Sequence, residues 1–157
     1  MPVDIFLALD TMTGESADPQ FKGQMQLESI TSGLHRRMEL VAGPSGPVLQ
    51  TEKPTATDLI ITKRVDSTSV KLAKALLTKT TWSRGRVNFR DGNTGLVFLT
   101  MDLKGVLVSD IQSVASGTDD RPNEQVTLRF MAINWIYTRK NPDGTKSEIT
   151  FAWDFAQ

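Results

Sequence analysis

The sequence predicts a mainly β fold, a compact β-barrel or sandwich of two sheets flanked by one α-helix, with residues 1–157 forming a single domain. Apolar and polar residues alternate along most of the chain, which is the pattern of half-buried strands. Glycine, proline, asparagine and aspartate interrupt these runs at short intervals, as in all-β domains with many turns. One segment alone has the spacing of an amphipathic helix. A chain of 157 residues is long enough to bury a substantial core.

Composition narrows the classes of function. Eighteen lysine and arginine residues balance eighteen aspartate and glutamate residues, so the net charge is zero when histidine is neutral. Nucleic acid or an anionic membrane would require a basic excess, and we expect neither as a partner. The absence of cysteine excludes disulfides, cysteine-based zinc sites, iron–sulfur clusters and cysteine nucleophiles. The first ten residues lack a basic leader, so we expect a cytoplasmic protein without a cleaved signal peptide.

The first half of the chain shows several predicted strands in order. The run Asp91–Gly95 separates two of them and is typical of a hairpin loop. The apolar residues that mark the strands before this loop are Val3, Ile5, Leu7, Leu9, Met25, Leu27, Leu59, Ile61, Val87 and Phe89.

Two irregularities are predicted in the second half. Gly105 interrupts the alternation that begins at Val97, which indicates a bulge or a bend. Near Phe130–Ala132 the large apolar residues move from even to odd positions, and we expect a bulge there because a one-residue shift reverses the buried face. A half-buried strand closes the chain. The aromatic residues of these last strands are interpreted as core, and they are Trp135, Tyr137, Phe151 and Trp153.

The predicted helix runs from Ser69 to about Lys79. Its apolar stripe consists of Leu72, Ala73, Leu76 and Leu77, with the lysines off the stripe. Ser69 suits the N-cap position, because its hydroxyl can accept from the first free backbone N–H groups.

Residues 106–138 carry the most specific pattern, two strands joined by the charged link Gly117–Pro122 and followed by Glu124. The segment Gly14–Asp18 and the start of the helix, with Thr62-Lys63, Asp66 and Ser67–Leu72, occur in the same order as in one known family. The chain thereby resembles the haemolysin-coregulated protein (Hcp) family, the inner tube proteins of the type VI secretion system, over nearly its whole length. Val70 stands where that pattern usually has proline, a helpful but dispensable residue at a helix start.

The resemblance implies a structural subunit, not an enzyme, without a cofactor or a metal. It implies a homohexameric ring, stacked rings that a contractile sheath expels, and effector proteins carried in the lumen. The implied partners are other copies of the chain, the secretion spike and sheath proteins, and effectors. The implied route is synthesis in the cytoplasm and then secretion through the type VI system without a cleaved signal. A closed ring of identical copies requires heterologous interfaces.

Two segments are candidates for contacts in such an assembly. Residues Val41 to Thr57 form the longest region without a regular pattern, and loops of that length are usually functional. Val41, Val48 and Leu49 make this loop apolar, so we expect it to contact other subunits within or between rings. The small polar residues Ser29, Thr31 and Ser32 lie in a stretch that the family places near the inner wall, which implies contact with cargo.

Possible chemical sites have simpler interpretations. His35 is the only histidine, and next to two arginines it is interpreted as a surface or interface residue. Asp119 and Asp120 could be paired carboxylates, but adjacent residues in an extended link point apart and Arg121 lies beside them, so a turn or a salt bridge is favoured. The run Asp91–Gly95 lacks the distant glutamate of a calcium loop.

Arg84, Arg86 and Arg90 alternate on one strand and are interpreted as a basic, solvated face, which in a tube could meet an acidic neighbour. The alternative function is a monomeric β-sandwich module that binds a carbohydrate or a peptide. Native mass separates this module from a ring-forming subunit.

Overall fold

A computed structural model describes residues 2–156, in which thirteen β-strands and one α-helix are formed. The strands are β1 (Val3–Leu9), β2 (Met25–Leu27), β3 (Ser29–Thr31), β4 (Leu34–His35), β5 (Met38–Gly43), β6 (Gly46–Thr51), β7 (Thr55–Ala56), β8 (Leu59–Arg64), β9 (Trp82–Asp91), β10 (Val97–Val114), β11 (Asn123–Arg129), β12 (Ala132–Lys140) and β13 (Lys146–Asp154). The helix, α1 (Ser67–Thr78), connects β8 to β9. Within residues 2–156, no helix has the length and apolar character needed to cross a membrane.

Two antiparallel sheets share the long strand β10. The first sheet has the order β2-β1-β9-β10-β12-β13, and the second has the order β10-β11-β8-β3. β10 pairs with β12 up to Lys104 and with β11 from Leu107 onward. The predicted mainly β fold with one helix is confirmed, and its form is a sandwich; the sheets do not close into a barrel within the described residues.

The interruption predicted at Gly105 is confirmed and has a structural cause. Gly105 has φ +64°, a left-handed conformation that side chains other than glycine disfavour. The Met131 side chain occupies the space that a Cβ at this position would need. β10 passes from the first sheet to the second at this point, and its register against β11 shifts once more between Val108 and Asp110.

The phase change near Phe130 is a break between two strands, not the predicted bulge within one. β11 ends at Arg129 in the second sheet, and β12 begins at Ala132 in the first. The backbone N–H of Met131 donates to the carbonyl of Lys104 at 2.9 Å, which fixes the crossing. The buried face reverses because the chain changes sheets.

The core lies between the two sheets and is closed on one side by α1, whose Leu72 and Ala75 are buried. The other buried apolar residues of this core are Leu7, Leu9, Met25, Leu27, Leu59, Ile61, Trp82, Val87, Met101, Leu103, Val106, Val108, Val126, Leu128 and Ile133.

The helix begins earlier than predicted. Asp66 is the N-cap, and its carboxylate accepts from the Thr68 N–H at 2.9 Å. Ser69 is the third helical residue, and its hydroxyl oxygen accepts from the Asp66 N–H at 3.0 Å. The prediction of Ser69 as N-cap is therefore wrong, because the two side chains form a reciprocal capping box. Leu77, predicted on the buried stripe, is 79% exposed.

The long loop predicted from Val41 to Thr57 is instead mostly a β-hairpin. β5 and β6 pair from Met38↔Thr51 to Gly43↔Gly46, and Pro44 and Ser45 form the turn. Prolines and glycines at the tip conceal the alternation in the sequence. We call this hairpin, residues 38–51, the arm.

Candidate assembly surface

The last hairpin of the chain exposes an apolar face that has no cover within the described residues. Ile149 is 71% exposed, Phe151 59%, Tyr137 44% and Trp153 39%. The sequence predicts Tyr137, Phe151 and Trp153 as core, and that prediction is wrong for the single chain. We call these four residues the β12–β13 aromatic face. Contiguous exposed apolar patches of this kind mark interaction surfaces.

The aromatic rings on this face are ordered by strand register. Phe151 lies opposite Trp135, and Trp153 lies opposite Ile133. The Phe151 ring stacks with the rings of Trp135 and Trp153, with centroids 6.2 Å apart in both pairs. Alternation places these side chains together on one side of the hairpin.

A groove of about 430 Å³ separates the aromatic face from the segment around β4. Leu34, which is 60% exposed, forms part of its opposite wall. The complete lining is Leu34, Arg36, Pro54, Trp135, Phe151, Trp153 and Phe155. The exposed apolar surface therefore continues from the last hairpin across to β4.

The arm is a second exposed apolar element. Leu40 pairs with Leu49 on one of its faces, and Val41 pairs with Val48 on the other. Leu40 is 71% exposed, and Val48 and Leu49 are also exposed, while Val41 is half-buried. Its two strands pair only with each other among the described strands. Because a lone two-stranded hairpin is marginally stable in water, an arm of this kind gains stability from a covering partner.

The second sheet has a polar outer face at its edge. Ser29 and Thr31 belong to β3 itself, where they pair with Thr62 and Ile60 and are exposed. The strand residue between them, Ile30, packs against the core. The structure therefore brings Ser29 and Thr31 together on one face of the sheet.

Ser32 follows the end of β3 and is exposed. It lies at the rim of a second groove, of about 330 Å³, which also involves Gly33, Leu34 and Trp135. This groove shares Leu34 and Trp135 with the groove beside the aromatic face.

A buried ionic network holds the helix start against the second sheet. The Lys63 ammonium lies 2.6 Å from the Glu124 carboxylate and 2.9 Å from that of Asp66, and it donates to the Ser69 hydroxyl at 3.3 Å. Burial acts to raise the pKa of Asp66, but hydrogen bonds from Thr68 and Lys63 outweigh it and leave the pKa below its usual value. The sequence motif around Lys63 and Asp66 predicts the start of the helix, but it does not show that these two residues and Glu124 form one buried network.

A second cluster anchors the segment that connects β1 to β2. The Arg90 guanidinium lies 2.9 Å from Asp4 and 2.6 Å from Asp18, and its carbon lies 5.1 Å and 5.5 Å from the ring centroids of Phe6 and Phe21. The hydrogen bonds from Arg90 lower the pKa of Asp18 to about 2. Arg90 is therefore a structural residue, not part of a solvated basic face.

The other members of the predicted basic face behave differently from each other. Arg86 forms a bidentate pair with Asp102, with distances of 2.6 and 3.0 Å. Arg84 is exposed and forms no salt bridge within residues 2–156.

The remaining candidate residues lie in turns or on the surface. His35 is exposed in β4. Asp119 lies in a turn, where its N–H donates to the Ser116 carbonyl at 3.0 Å. The Asp91 carboxylate accepts from the N–H of Asn93 at 2.7 Å, which confirms the predicted turn. No group of three or more histidine, aspartate or glutamate side chains placed to hold a metal occurs in residues 2–156.

Comparison with known proteins identifies the family. Residues 6–137 match the family model described as "Type VI secretion system effector, Hcp". Protein hcp1 of Pseudomonas aeruginosa strain PAO1 is 27% identical over 161 residues, which cover 100% of this chain and 98% of the relative.

Solved structures agree with this match. A structure described as that of a type six secretion system protein has a TM-score of 0.85 and 25% identity, and the match covers 98% of this chain and 96% of the other. Hcp1 from Salmonella typhimurium shares the fold, with a TM-score of 0.82, 24% identity and coverage of 99% and 97%. The chain therefore belongs to the Hcp family of type VI secretion system tube proteins.

Proposed function

We propose that this chain is a non-enzymatic subunit of the secretion tube, that six copies close into a ring, and that stacked rings carry effector proteins in the lumen. The β12–β13 aromatic face carries the proposal. Four large apolar side chains that remain open to water in one chain indicate that a second molecule covers them.

The arm supports assembly for an independent reason. It presents Leu40, Val48 and Leu49 to solvent and pairs with no strand outside itself within residues 2–156. The arm and the aromatic face are different surfaces, and contact between different surfaces on identical copies is heterologous. Heterologous contacts close into rings when the rotation is right, and rings of one kind can then stack.

The polar face of β3 supports the lumen assignment. Ser29 and Thr31 expose small hydroxyl side chains, and Ser32 extends this surface beyond the strand. A wall of this chemistry remains wetted and permits transient contact with passengers, whereas an apolar wall would bind them without release. The proposed partners are therefore other copies, effectors in the lumen, and the spike and sheath proteins of the same system.

Native mass tests the ring directly. Size exclusion with light scattering is expected to give about 104 kDa, six times the 17.4 kDa of the chain. A monomer at micromolar concentration would contradict the ring and favour the carbohydrate- or peptide-binding module.

A matched pair of variants tests which surface is responsible. Replacing Phe151 and Trp153 with serine is expected to release monomers that keep the β circular dichroism spectrum. Replacing Val70 and Leu77 with serine is the control, because these residues are 76% and 79% exposed on α1, away from the face. Equal masses for the two variants would remove the aromatic face from the interface.

Export is tested in the producing cell. The protein is expected in the culture medium of cells with an intact type VI system and to be absent from the medium when the sheath is deleted. Its N-terminus in the medium is expected to be uncleaved. Equal export from both cell types would contradict this route.

A further inference from the structure

We propose that Arg84 and Lys104 form a docking site for the Asp119–Asp120 segment of a second copy of this chain. The proposal rests on the self-assembly proposed above and adds a specific ionic contact to it. The starting observation is a pair of like charges that the single chain leaves uncompensated.

Arg84 on β9 lies directly opposite Lys104 on β10. Both side chains are exposed, and neither takes part in a salt bridge or a side-chain hydrogen bond within residues 2–156. Like charges at directly opposed positions on neighbouring strands destabilise a sheet. An anion that lies over both side chains would remove this repulsion.

The nearby carboxylates of the same chain do not supply that anion. Asp102 is already paired with Arg86, whose Nε and Nη2 donate to the two oxygens of the Asp102 carboxylate. The Asp154 carboxylate accepts from the backbone N–H of Ala156 at 2.8 Å. Asp10 approaches Arg84 only through its backbone N–H, which donates to the Arg84 carbonyl at 3.1 Å, and its side chain forms no salt bridge there.

The cation pair borders an open groove of about 620 Å³ on the first sheet. Ala132 and Ala152 contribute only small side chains to its lining, which leaves space for a turn of another chain to approach the two cations. The strand register places Lys104, Ala132 and Asp154 on one side of the first sheet and Leu103, Ile133 and Trp153 on the other. The cation pair therefore lies on the face opposite the aromatic face and forms a separate contact surface.

The chain itself offers the complementary group. Asp119 and Asp120 are adjacent, exposed and free of salt bridges within the described residues. Arg121 beside them lies close enough to Glu15 to interact with it electrostatically. Two neighbouring carboxylates are complementary in charge to two neighbouring cations.

One chain cannot make this contact within itself. β10 continues from Gly105 to Val114 past Lys104, which at the rise of a strand is roughly 30 Å, and the turn with Asp119 lies beyond its end. The cations and the carboxylates therefore occupy distant parts of one molecule. Such a pair joins two copies head to tail, as a heterologous assembly requires.

Charge reversal tests the contact on the full chain. The variants R84E/K104E and D119K/D120K are each expected to weaken association between copies by roughly tenfold or more, because like charges then face each other. The quadruple variant that combines them is expected to recover the wild-type affinity. Sedimentation velocity over a concentration series, at low and at high salt, measures the dissociation constants. Wild-type association is expected to weaken with salt, because screening reduces ionic contacts that remain accessible to solvent.

Two control variants distinguish the loss of this ionic contact from a general effect of net charge and from a loss of stability. K22E/K74E makes the same change in net charge at exposed positions outside the first sheet, and its affinity is expected to equal that of the wild type. R84Q/K104Q removes the repulsion without adding charge, so its thermal stability is expected to match or exceed that of the wild type, and its association is expected to be weaker.

A monomeric wild type would overturn the proposed ring and this contact with it. A wild type that assembles, with reversal variants that assemble equally well, would overturn the ionic contact alone. If the quadruple variant fails to recover affinity, Asp119 and Asp120 are not the partners of the cation pair.

Discussion

The Lys63 ammonium lies 2.6 Å from the Glu124 carboxylate, with the two side chains only 1% and 3% exposed. Lys63 comes from β8, just before the helix, and Glu124 comes from β11, so the pair joins segments that are 61 positions apart in the sequence. The ammonium also donates to Asp66, to the Ser69 hydroxyl and to the Arg64 carbonyl. A buried charge that is fully hydrogen-bonded is tolerated, and one that loses its partner is costly.

Replacing Lys63 with methionine is expected to lower the free energy of unfolding by about 3–5 kcal/mol, because it leaves the Glu124 carboxylate buried without its cation. Urea unfolding at a fixed protein concentration measures this loss. The control is Arg64→Met, which removes an exposed pair with Glu28 and is expected to cost less than about 1 kcal/mol. Adding Glu124→Leu to Lys63→Met is expected to recover part of the loss. Equal costs for the two single variants would contradict the role of burial.

Asp18 is expected to make stability depend on pH in the acid range. Hydrogen bonds from Arg90 hold the pKa of Asp18 at about 2 in the folded state, below its usual 3.8. The contribution to stability is therefore complete above pH 3.8 and is lost as the pH falls from there toward 2. The wild type is expected to be more stable than Asp18→Asn near neutral pH, and the difference is expected to shrink toward pH 2. A difference that stays constant across this range, measured by urea unfolding, would exclude the mechanism.

Gly105→Ala is expected to destabilise the chain by about 1–2 kcal/mol, the cost of a left-handed conformation in a residue with a Cβ. Contact with the Met131 side chain adds to this cost. Thermal and urea unfolding measure the change. The double variant Gly105→Ala/Met131→Ala removes the crowding and keeps the backbone strain, so a full recovery of stability would show that strain is not the cause.

The arm is expected to contribute to contacts between copies without supporting the fold of one chain. Leu40→Ser/Leu49→Ser changes a cross-strand pair on one side of the arm and is expected to weaken association while leaving the circular dichroism spectrum unchanged. Glu39→Ser/Gln50→Ser changes the adjacent pair on the other side and is the matched control. If the control weakens association as much as the leucine variant, the contact is not specific to the side of the arm that carries Leu40 and Leu49.

Ser32→Gln is expected to preserve ring formation and to reduce effector retention, because the longer side chain extends from a surface proposed to line the lumen. Co-purification of effectors with the ring, and effector stability in the producing cell, measure the effect. Thr81→Gln, at an exposed site before β9, is the control. A ring that retains every effector with glutamine at position 32 would exclude Ser32 from the cargo surface.

Local pattern was sufficient for most elements of the fold. Alternation located β1, β8 and β9, and the run Asp91–Gly95 marked the turn that follows β9. The interruption at Gly105 was also evident, since a glycine inside a strand pattern often marks a bulge or a tight bend. These features depend on residues that are neighbours in the sequence, and so tertiary information is not needed to predict them.

The alternation of apolar and polar residues did not predict the structure correctly where it depends on segments that are distant in the sequence or on a covering layer that the single chain does not supply. Alternation shows that one side of β13 is apolar, but it does not show whether another layer of the same chain covers that side, and in this fold none does within the described residues. The arm was missed because the prolines and glycines of its turn break the alternation that its paired strands would show.

The sequence by itself determined a mainly β fold with one helix, and the family that the chain resembles, because periodicity and motif order are local properties; that the two sheets form a sandwich and not a closed barrel was decided by the tertiary structure. The tertiary structure alone decided which charges are buried and which apolar surfaces remain open. Lys63 meets Glu124 because β8 and β11 are neighbours in the second sheet. Arg84 and Lys104 lie opposite each other on β9 and β10, and both are exposed on the same face of the first sheet. Those arrangements depend on the order of the strands in the sheets, which brings together residues that are far apart in the sequence.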